Sequence, residues 1–546
     1  MPAAVLVPTA SCPAASPGRS YARREPENSV LHVVVREHLE TFLTTVREER
    51  GKDLPHYVEQ ELRRYLRCGI LAHGFCRVVC PSCRKEILVA YSCKCRGACP
   101  SCCARRMCGS AAHLVDHVLP DVAVRQWVLT VPHEVRRVLA LRPDALTAAA
   151  RLFVEEIARW QKQTAKARGI EGGETGAVTF VQRFSSMLGS FVHFHVVVPD
   201  GLFTRTDEGV VTFHNGPAPA REDIATVAAR VEKRMTRWLR RRGLVDERPE
   251  EERSNEAPDP SPLEACMQLS LFGGTFLRLT DDGTPVPLDP PRFGAGTKSP
   301  WAAEAAGFNV HAGVTIHRSL RSRFGVPTVA ARPSPLHAGD REGLERLLRY
   351  CARPPFSLER ISLLPDGRVA YLLRTPRRNG ATHLVLDPIA FLARIAALIP
   401  PPRFPLVRLA GVFAPHSSWR RSVVSQAGAS STLPSVARPT KKKAKKKTDA
   451  ASPLFSDRRE TLPERRTAPE TPEPNGPRTG LGAGVVPPVG ARMDWASLLR
   501  RVYLEDVLAC PCGGRRRIIA DIQERDVIVA ILDHLGLPTN PPPVAR

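Results

Sequence analysis

The sequence lacks any run of about 18 uncharged apolar residues, the length that a membrane-spanning helix requires. Its first twenty residues are rich in Ala and Pro, but no basic start leads into an apolar block, so we expect no secretory signal. A phosphate-binding loop of the G-x-x-x-x-G-K-[ST] type is also missing, which argues against a nucleotide cofactor. We therefore expect a cytoplasmic protein without a membrane partner.

Acidic residues are too few to balance the basic ones. The 546 residues include 79 Lys and Arg against 55 Asp and Glu, which gives a formal net charge of +24. A surplus of this size favours a polyanionic partner, most commonly nucleic acid. The alternative is a GC-rich genome that encodes Arg frequently, and charge alone does not decide between the two.

Cysteines are scarce outside one segment, because ten of the fifteen lie between Cys68 and Cys108. Such a cluster in a long chain indicates metal binding in a reducing compartment. Two C-x-x-C motifs, Cys80/Cys83 and Cys99/Cys102, are separated by fifteen residues and predict one structural zinc site with four thiolate ligands. Cys93 is an alternative ligand, and the other cysteines beside the motifs could also substitute.

Two further features accompany this cluster. Basic residues among and after the predicted ligands, including Arg96, Arg105 and Arg106, predict a cationic surface that binds DNA. Near the other end of the chain, the C-x-C motif of Cys510 and Cys512 is too short for a full site. We interpret it as a partial site or a relic.

A histidine pair lies on a predicted strand at 192–198. Strand alternation places His193 and His195 on one face and the apolar residues between and beside them on the other. Two imidazoles in this arrangement can chelate one divalent ion. A preceding strand at 178–184 and a Pro-Asp-Gly turn at 199–201 provide an antiparallel setting, although a histidine pair on a strand is more often structural.

A basic amphipathic helix is predicted at 340–353. Leucines and a cysteine form an i, i+3, i+4, i+7 stripe: Leu344, Leu347, Leu348 and Cys351. Tyr350 lies at the edge of this stripe, with Arg346 and Arg353 on its own side. The two guanidinium groups would favour the phenolate form and offset the charge of a phosphodiester. The alternative is an ordinary tyrosine at the edge of a core, but few of the seven tyrosines have so basic a setting.

Several segments together carry a resemblance to a known family: VVREHLETFL (34–43), ELRRYLRCGILAHGF (61–75), SCKCRGACPSCCARRM (92–107), AAHLVDHVLPDVAVRQWVLTVP (111–132), AVTFVQRFSSMLGSFVHFHVVVPDGLF (177–203), GFNVHAGV (307–314), REGLERLLRYCARPP (341–355) and THLVLDPIAFLARIAALIPPPR (382–403). The chain resembles the rolling-circle transposases of the insertion sequence 91 family, within the HUH endonuclease superfamily. It is most similar to the single-tyrosine branch found with insertion sequence common regions.

The resemblance implies an N-terminal zinc-binding domain followed by an HUH catalytic domain. Together with the changes of composition along the chain, it predicts an α+β multidomain fold. We expect an N-terminal helical and zinc-ribbon domain, an HUH domain with a central antiparallel sheet flanked by helices, a disordered basic linker and a short helical C-terminal unit. The predicted boundaries are 1–28 for a disordered N-terminus, 29–119 for the zinc-binding domain, 120–424 for the catalytic domain with an acidic inserted loop at 246–262, 425–490 for the linker and 491–546 for the C-terminal unit. Lys441, Lys442 and Lys443 in the linker are expected to contact phosphates.

The resemblance also implies a mechanism and a partner. His193, His195 and a third polar ligand would hold Mg²⁺ or Mn²⁺, and Tyr350 would attack a phosphodiester and remain joined to the 5′-phosphate. Some relatives carry a second tyrosine four residues on, where this chain has Pro354, so alternation of two tyrosines on one helix is not expected. The DNA would be the element ends and the target, single-stranded or locally melted, and the protein would be associated with the bacterial nucleoid.

Two other functions use parts of the same pattern. A plasmid relaxase or replication initiator would share the chemistry, but a fused helicase or primase is then expected and none is visible. A zinc-ribbon protein that binds DNA without cleaving it would need only the cysteine cluster and the basic surface. A nicking assay separates the second from a nuclease, and the genomic surroundings separate the first from a transposase.

Overall fold

The computed structural model describes most of the chain: residues 24–244, 260–271, 274–279, 285–288, 299–318, 336–338, 341–377, 379–425, 495–503 and 506–545. The predicted disordered N-terminus, acidic loop and basic linker lie outside the described residues except for a few positions at their edges. Lys441, Lys442 and Lys443 lie outside them as well. All of the described residues belong to one compact unit, and none of the described helices is both long and apolar enough to cross a membrane.

The helices of the described residues are α1 (Val30–Arg50), α2 (His56–Leu66), α3 (Pro100–His117), α4 (His133–Leu141), α5 (Pro143–Lys166), α6 (Arg221–Arg240), α7 (Pro262–Leu271), α8 (Arg341–Cys351), α9 (Pro388–Leu398), α10 (Arg420–Ser425), α11 (Trp495–Tyr503) and α12 (Arg525–His534). The helix predicted at 340–353 is confirmed as α8. Local signals set the ends of α1: the Ser29 side chain caps it, and Gly51, with a φ of 62°, ends it.

The strands are β1 (Phe75–Val79), β2 (Glu86–Ala90), β3 (Val124–Thr130), β4 (Gly176–Phe184), β5 (Ser190–Pro199), β6 (Gly201–Arg205), β7 (Val211–Asn215), β8 (Thr275–Leu279), β9 (Pro285–Leu288), β10 (Ala302–Ala305), β11 (Phe308–Arg318), β12 (Leu336–Ala338), β13 (Ile361–Leu363), β14 (Val369–Leu372), β15 (His383–Leu386), β16 (Val407–Gly411) and β17 (Arg517–Ile522). The strands predicted at 178–184 and 192–198 are confirmed as parts of β4 and β5. The fold is therefore mixed α and β, with mainly antiparallel sheets.

A seven-stranded sheet forms the centre, in the order β10-β11-β3-β5-β4-β16, with the short β12 beside β11. Its neighbours are antiparallel except for β11 and β12. On one face, Val178, Phe180 and Val197 pack against apolar residues of α3 and α8. On the other face, Phe194 and Val196 pack into a core that includes α5 and α6. Helices thus cover both faces of the strand that carries the histidine pair.

A second antiparallel sheet, β13-β14-β15-β8-β9, and the β6–β7 hairpin complete the part of the chain between 120 and 425. Helices α7 and α9 pack against each other, and their buried residues, such as Met267 and Phe391, belong to the same large core as the central sheet. These elements form the surroundings from which α8 emerges.

The N-terminal ribbon is completed by the C-terminal end of the chain. Strand β17 pairs antiparallel with β1, which also pairs with β2, in the order β17-β1-β2. Ile528 and Leu532 of α12 pack on Leu71 and Phe75 beside this sheet. The prediction of a helical C-terminal unit is therefore incomplete: it contains a strand, and that strand belongs to the ribbon. The strand was not predicted because Arg517–Ile522 shows only weak alternation of apolar and polar residues, and its side chains are not buried.

A buried ion pair fixes the end of the histidine strand. Arg125 of β3 donates two hydrogen bonds to the Asp200 carboxylate, at 2.9 and 2.7 Å, in the turn that follows β5. A third, of 3.2 Å, reaches the main-chain oxygen of Ala312 in β11. Only 3% of the Arg125 side chain and 6% of the Asp200 side chain are exposed. The pair therefore joins β3, β5 and β11 at one end of the sheet.

We predict that Asp200→Ala lowers the free energy of unfolding by about 3–5 kcal/mol, because it leaves the Arg125 charge buried without its partner. The matched control is Asp366→Ala, which breaks an ion pair with Arg368 whose side chains are 47% and 49% exposed. That change should lower the free energy of unfolding much less, because water screens the exposed pair. Urea unfolding measures both values, and equal effects would show that the buried pair has no special role in the sheet.

Candidate active site and metal centres

The structure brings the predicted histidine pair and tyrosine together. His193 and His195 lie on the face of β5 that α8 covers, with their ring centroids 5.0 Å apart. The ring of Tyr350, near the end of α8, lies 5.6 Å from that of His195 and nearly perpendicular to it. Tyr350 is 41% exposed, which leaves its hydroxyl open to a ligand from solvent. Residues more than 150 positions apart in the sequence thus form one constellation.

Two buried glutamines that the sequence analysis missed hold this constellation in place. Gln182 of β4 donates hydrogen bonds to the main-chain oxygens of Tyr350 (3.1 Å) and Cys351 (2.8 Å). In the sheet, Gln182 lies directly opposite His193. On the other side of β5, the side-chain nitrogen of Gln126 lies 2.8 Å from His195 Nδ1 and 3.1 Å from Cys351 Sγ. The signal for these two glutamines in the sequence was a polar residue within an otherwise apolar strand.

Both histidines are in the state that a metal ligand needs. Burial lowers the pKa of His193 to about 4 and that of His195 to about 3, and the nearby Arg353 charge acts in the same direction. Both rings are therefore neutral at pH 7. His193 Nδ1 lies 3.1 Å from the main-chain oxygen of Phe191, so this nitrogen can donate and leave Nε2 with a free lone pair.

Two buried polar atoms beside these rings lack a hydrogen-bond partner among the described residues. They are His195 Nε2 and Gln182 Oε1. Buried polar atoms are usually paired, so two orphans at neighbouring positions of one sheet face suit a ligand between them. In the described residues, no carboxylate, cysteine or third histidine joins the two imidazoles in a group that could hold a metal. The amide oxygen of Gln182 is then the available third donor.

Arginines line the edge of the constellation. Arg353 lies over the rings of both Tyr350 and Phe184, at 5.5 and 4.9 Å from their centroids. Arg374, which the sequence analysis did not select, lies 5.7 Å from the Tyr350 centroid and is exposed. The predicted Arg346 is different: it forms an ion pair of 3.8 Å with Glu342 one turn earlier on α8, and 58% of its side chain is exposed. Among the described residues, Arg353 and Arg374 are therefore the arginines that lie over the Tyr350 ring.

The predicted zinc tetrad is not brought together as such. Cys99 and Cys102 lie with Cys68 and Cys93, whereas Cys80 and Cys83 lie with the C-terminal pair Cys510 and Cys512. The prediction of one site formed by Cys80, Cys83, Cys99 and Cys102 is thus wrong in its pairing, and the alternative residue Cys93 lies in the group with Cys99 and Cys102. The physical reason is the β1–β2 hairpin, because it carries Cys80 and Cys83 at its turn, and that turn faces the C-terminal segment.

The first tetrad, Cys68/Cys93/Cys99/Cys102, has the dimensions of a zinc site. Sulfur–sulfur distances are 3.7 Å for Cys68–Cys102, 3.5 Å for Cys93–Cys102 and 3.7 Å for Cys99–Cys68. Zn–S bonds of about 2.3 Å in a tetrahedron separate the sulfurs by about 3.8 Å. Thiol hydrogen bonds, chiefly from Cys68, lower the pKa of Cys102 well below its usual range. The four residues therefore fit a closed structural zinc site.

A loop between Cys93 and Cys102 is held by its neighbours. The Glu61 carboxylate of α2 accepts hydrogen bonds from the main-chain N–H groups of Arg96 (2.7 Å) and Gly97 (3.0 Å). The Arg96 guanidinium donates to the main-chain oxygens of Pro401 and Phe404. A Cβ at Gly97 would come within 2.8 Å of Ile399 Cα, so no larger residue fits there. Arg96, predicted to bind DNA, is instead engaged within the protein.

The other predicted DNA-binding residues differ in placement. Arg105 and Arg106 are exposed on α3, immediately after the first tetrad. Arg106 donates one hydrogen bond of 3.1 Å to the main-chain oxygen of Lys94. These two arginines remain candidates for phosphate contacts.

Two family models match the chain. One, described as "Transposase zinc-binding domain", matches residues 34–131 and includes the first tetrad. The other, described as "Putative transposase", matches residues 176–421 and includes the histidine pair, Gln182 and Tyr350. No curated protein and no solved structure matches the chain.

We predict that Cys68→Ser lowers the zinc content of the purified protein by one ion per chain, because it removes one of four thiolates. The segment around the tetrad should also lose stability, since zinc affinity at such a site contributes folding free energy. Elemental analysis measures the first effect and thermal unfolding the second.

Cys103→Ser is the matched control for this variant. Cys103 is equally buried and adjacent to Cys102, but it lies outside both tetrads. The zinc content of Cys103→Ser should equal that of the unchanged protein. A loss of zinc in Cys103→Ser with none in Cys68→Ser would overturn the first tetrad as described.

Proposed function

The chain belongs to the insertion sequence 91 family of transposases, and we propose that it nicks and joins single-stranded DNA by HUH chemistry, with Tyr350 as the nucleophile. One observation carries the proposal: the phenol ring of Tyr350 lies against His195 at the open edge of a buried, neutral histidine pair. A phenol beside two metal-ligand imidazoles is suited to attack a phosphodiester.

The residues present fit a divalent cation. His193 and His195 supply two nitrogen donors, and the orphaned Gln182 Oε1 supplies an oxygen donor from the neighbouring strand. When bound, Mg²⁺ or Mn²⁺ would polarise the scissile phosphate as a Lewis acid. Gln126 contacts His195 Nδ1 through its side-chain nitrogen at 2.8 Å and so holds the orientation of the ring beside Tyr350.

The chemical step uses groups of this chain. Tyr350 Oη loses its proton to solvent, attacks phosphorus and forms a phosphotyrosine. The bond from phosphorus to the 3′-oxygen breaks, and the departing oxygen takes up a proton from solvent to give a 3′-hydroxyl. The bond energy is conserved in the phosphotyrosine, so a later 3′-hydroxyl can attack it and rejoin the strand without a nucleotide cofactor. This sequence of steps supports rolling-circle transposition with one tyrosine.

Arginines position the DNA strand for this step. Arg353 and Arg374 lie beside the Tyr350 ring, and their charges offset that of the phosphate which approaches it. Burial of Arg353 strengthens this effect, since a partly desolvated charge is screened less by water. We assign Arg346 a weaker, peripheral contact because it pairs with Glu342 at the exposed side of α8.

The zinc-binding domain contributes to DNA recognition through its position. We propose that Cys68, Cys93, Cys99 and Cys102 hold a structural zinc ion at the start of α3. The exposed Arg105 and Arg106 follow on the first turns of that helix and would contact phosphates. The same helix packs against α8, so the surface that binds DNA and the helix that cuts it are rigidly connected.

We predict that Tyr350→Phe abolishes the covalent protein–DNA adduct while DNA affinity and folding are retained, because only the hydroxyl is lost. A labelled single-stranded oligonucleotide with Mn²⁺, followed on a denaturing gel, measures the adduct. Tyr371→Phe is the matched control: this tyrosine is 2% exposed in β14 and should still form the adduct. An adduct in the 350 variant that disappears in the 371 variant would refute the choice of nucleophile.

We predict that His193→Ala and His195→Ala abolish cleavage and leave DNA affinity largely unchanged, because the basic surface carries the affinity. Gln182→Met should raise the Mn²⁺ concentration needed for half-maximal cleavage by about tenfold or more. A Mn²⁺ titration of the cleavage rate measures this effect.

Gln161→Met controls for the loss of a buried glutamine. Gln161 is 6% exposed and donates to the main-chain oxygen of Pro199, away from the histidines. Its change should lower stability but leave the Mn²⁺ requirement as it was. Equal Mn²⁺ requirements in both glutamine variants would remove Gln182 from the metal site.

A further inference from the structure

Four cysteines from the two ends of the chain converge outside the active site. Cys80 and Cys83 lie at the turn of the β1–β2 hairpin, and Cys510 and Cys512 lie in a turn before β17. The sulfur atoms are 3.6 Å apart for Cys80–Cys512 and 3.5 Å apart for Cys83–Cys510. All four lie within 4.8 Å of one another. The matched zinc-binding domain, residues 34–131, contains only the first pair.

The two turns have closely related constructions. In the first, the N–H of Cys80 donates to the oxygen of Lys85 (3.0 Å) and the N–H of Arg84 donates to the oxygen of Cys80 (2.9 Å). In the second, the N–H of Cys510 donates to the oxygen of Gly514 and the N–H of Gly513 donates to the oxygen of Cys510, both at 2.9 Å. The C-x-C turn is therefore a C-x-x-C turn that is one residue shorter.

Glycine makes the close approach of the turns possible. A Cβ at Gly514 would meet Cys80 Sγ and Ser82 Oγ at 2.8 Å, closer than real Cβ atoms approach. Gly513 has a φ of 82°, which few other residues adopt. The local sequence Cys-Pro-Cys-Gly-Gly is thus fitted to receive the other pair of thiols.

We propose that Cys80, Cys83, Cys510 and Cys512 hold a second zinc ion, which fastens the C-terminal segment to the N-terminal ribbon. Two observations exclude disulfides as the explanation: the cysteines are free, and their sulfurs are much farther apart than the roughly 2.05 Å of a disulfide bond. The separations match the edges of about 3.8 Å in a ZnS₄ tetrahedron. Four thiolates close the coordination shell, so this ion is structural.

The second ion has a mechanical consequence for the nucleophile helix. It fixes the turn at 510–514, and α11 lies a few residues before it in the chain. From α11, Arg501 forms ion pairs with Glu345 of α8 and with Asp116 of α3. Leu498 of the same helix packs on Cys108. The second zinc therefore holds in place the segment that braces α8 from outside.

The test counts zinc in full-length protein variants after dialysis against a competing chelator. The unchanged protein should contain two ions per chain, and Cys80→Ser and Cys512→Ser should each contain one. The double variant Cys80→Ser/Cys512→Ser should also contain one, because both changes remove the same ion. Cys68→Ser/Cys512→Ser should contain none. Cys512 is exposed, so its change is the least disruptive to folding.

Cys76→Ser is the control within the same sheet. The Cys76 thiol donates to Asp521 of β17 (2.8 Å), and serine can make the same hydrogen bond. This variant should keep two ions. One ion in the unchanged protein, or two in Cys512→Ser, would overturn the proposal. Substitution of Co²⁺ provides a second measurement, since thiolate-to-cobalt absorption should fall by half in either single variant. None of these results depends on DNA cleavage, so they are separate from the test of Tyr350.

Discussion

The candidate site depends on how one eleven-residue helix, α8, is held over the centre of the sheet. The last carbonyl groups of any helix have no partner within the helix. Here the side chain of Gln182 supplies donors to two of them, at Tyr350 and Cys351. At the other end, Arg341 donates to the main-chain oxygens of Val115 and Leu119. The hydrogen bonds that satisfy the end of the helix therefore also fix the position of Tyr350.

That arrangement explains why a strand residue and a helix residue act as one site. Gln182 is opposite His193 in the sheet, so the side chain that braces the helix is also placed to complete the donors around the histidines. Apolar packing of Leu347 and Leu348 on the sheet supplies most of the binding between the layers. The hydrogen bonds of Gln182 fix the position of α8 along the sheet, since hydrogen bonds are directional and apolar contacts are not.

The zinc-binding domain is mechanically continuous with the catalytic part. Cys99 caps helix α3, which begins at Pro100. The helix extends for 18 residues, or ~27 Å, to the region of α8. Ala111, Leu114 and Val115 of α3 share a core with the leucines of α8. Movement of the first tetrad would therefore shift α8 and the Tyr350 that it carries.

Sequence reasoning succeeded where the signal was local. Alternation at 192–198 placed both histidines on one face, and the leucine stripe placed Tyr350 on a helix. It failed where the information lay in long-range pairing. Two C-x-x-C motifs with suitable spacing suggested a single site, yet the hairpin that carries Cys80 and Cys83 directs them to Cys510 and Cys512, more than 400 residues away. Gln182 and Arg374 were missed because only tertiary packing gives either residue its neighbours.

The pairing of β17 with β1 also imposes an order of events during synthesis. Phe75 pairs with Ile522, so one edge of the ribbon stays open while the intervening residues are translated. At translation rates of roughly 5–20 residues per second, that interval is about 20 seconds to a minute and a half. An open strand edge invites pairing with other chains. The ribbon can be completed only after the residues between β1 and β17 have been translated, so an incomplete polypeptide never has a finished three-stranded sheet.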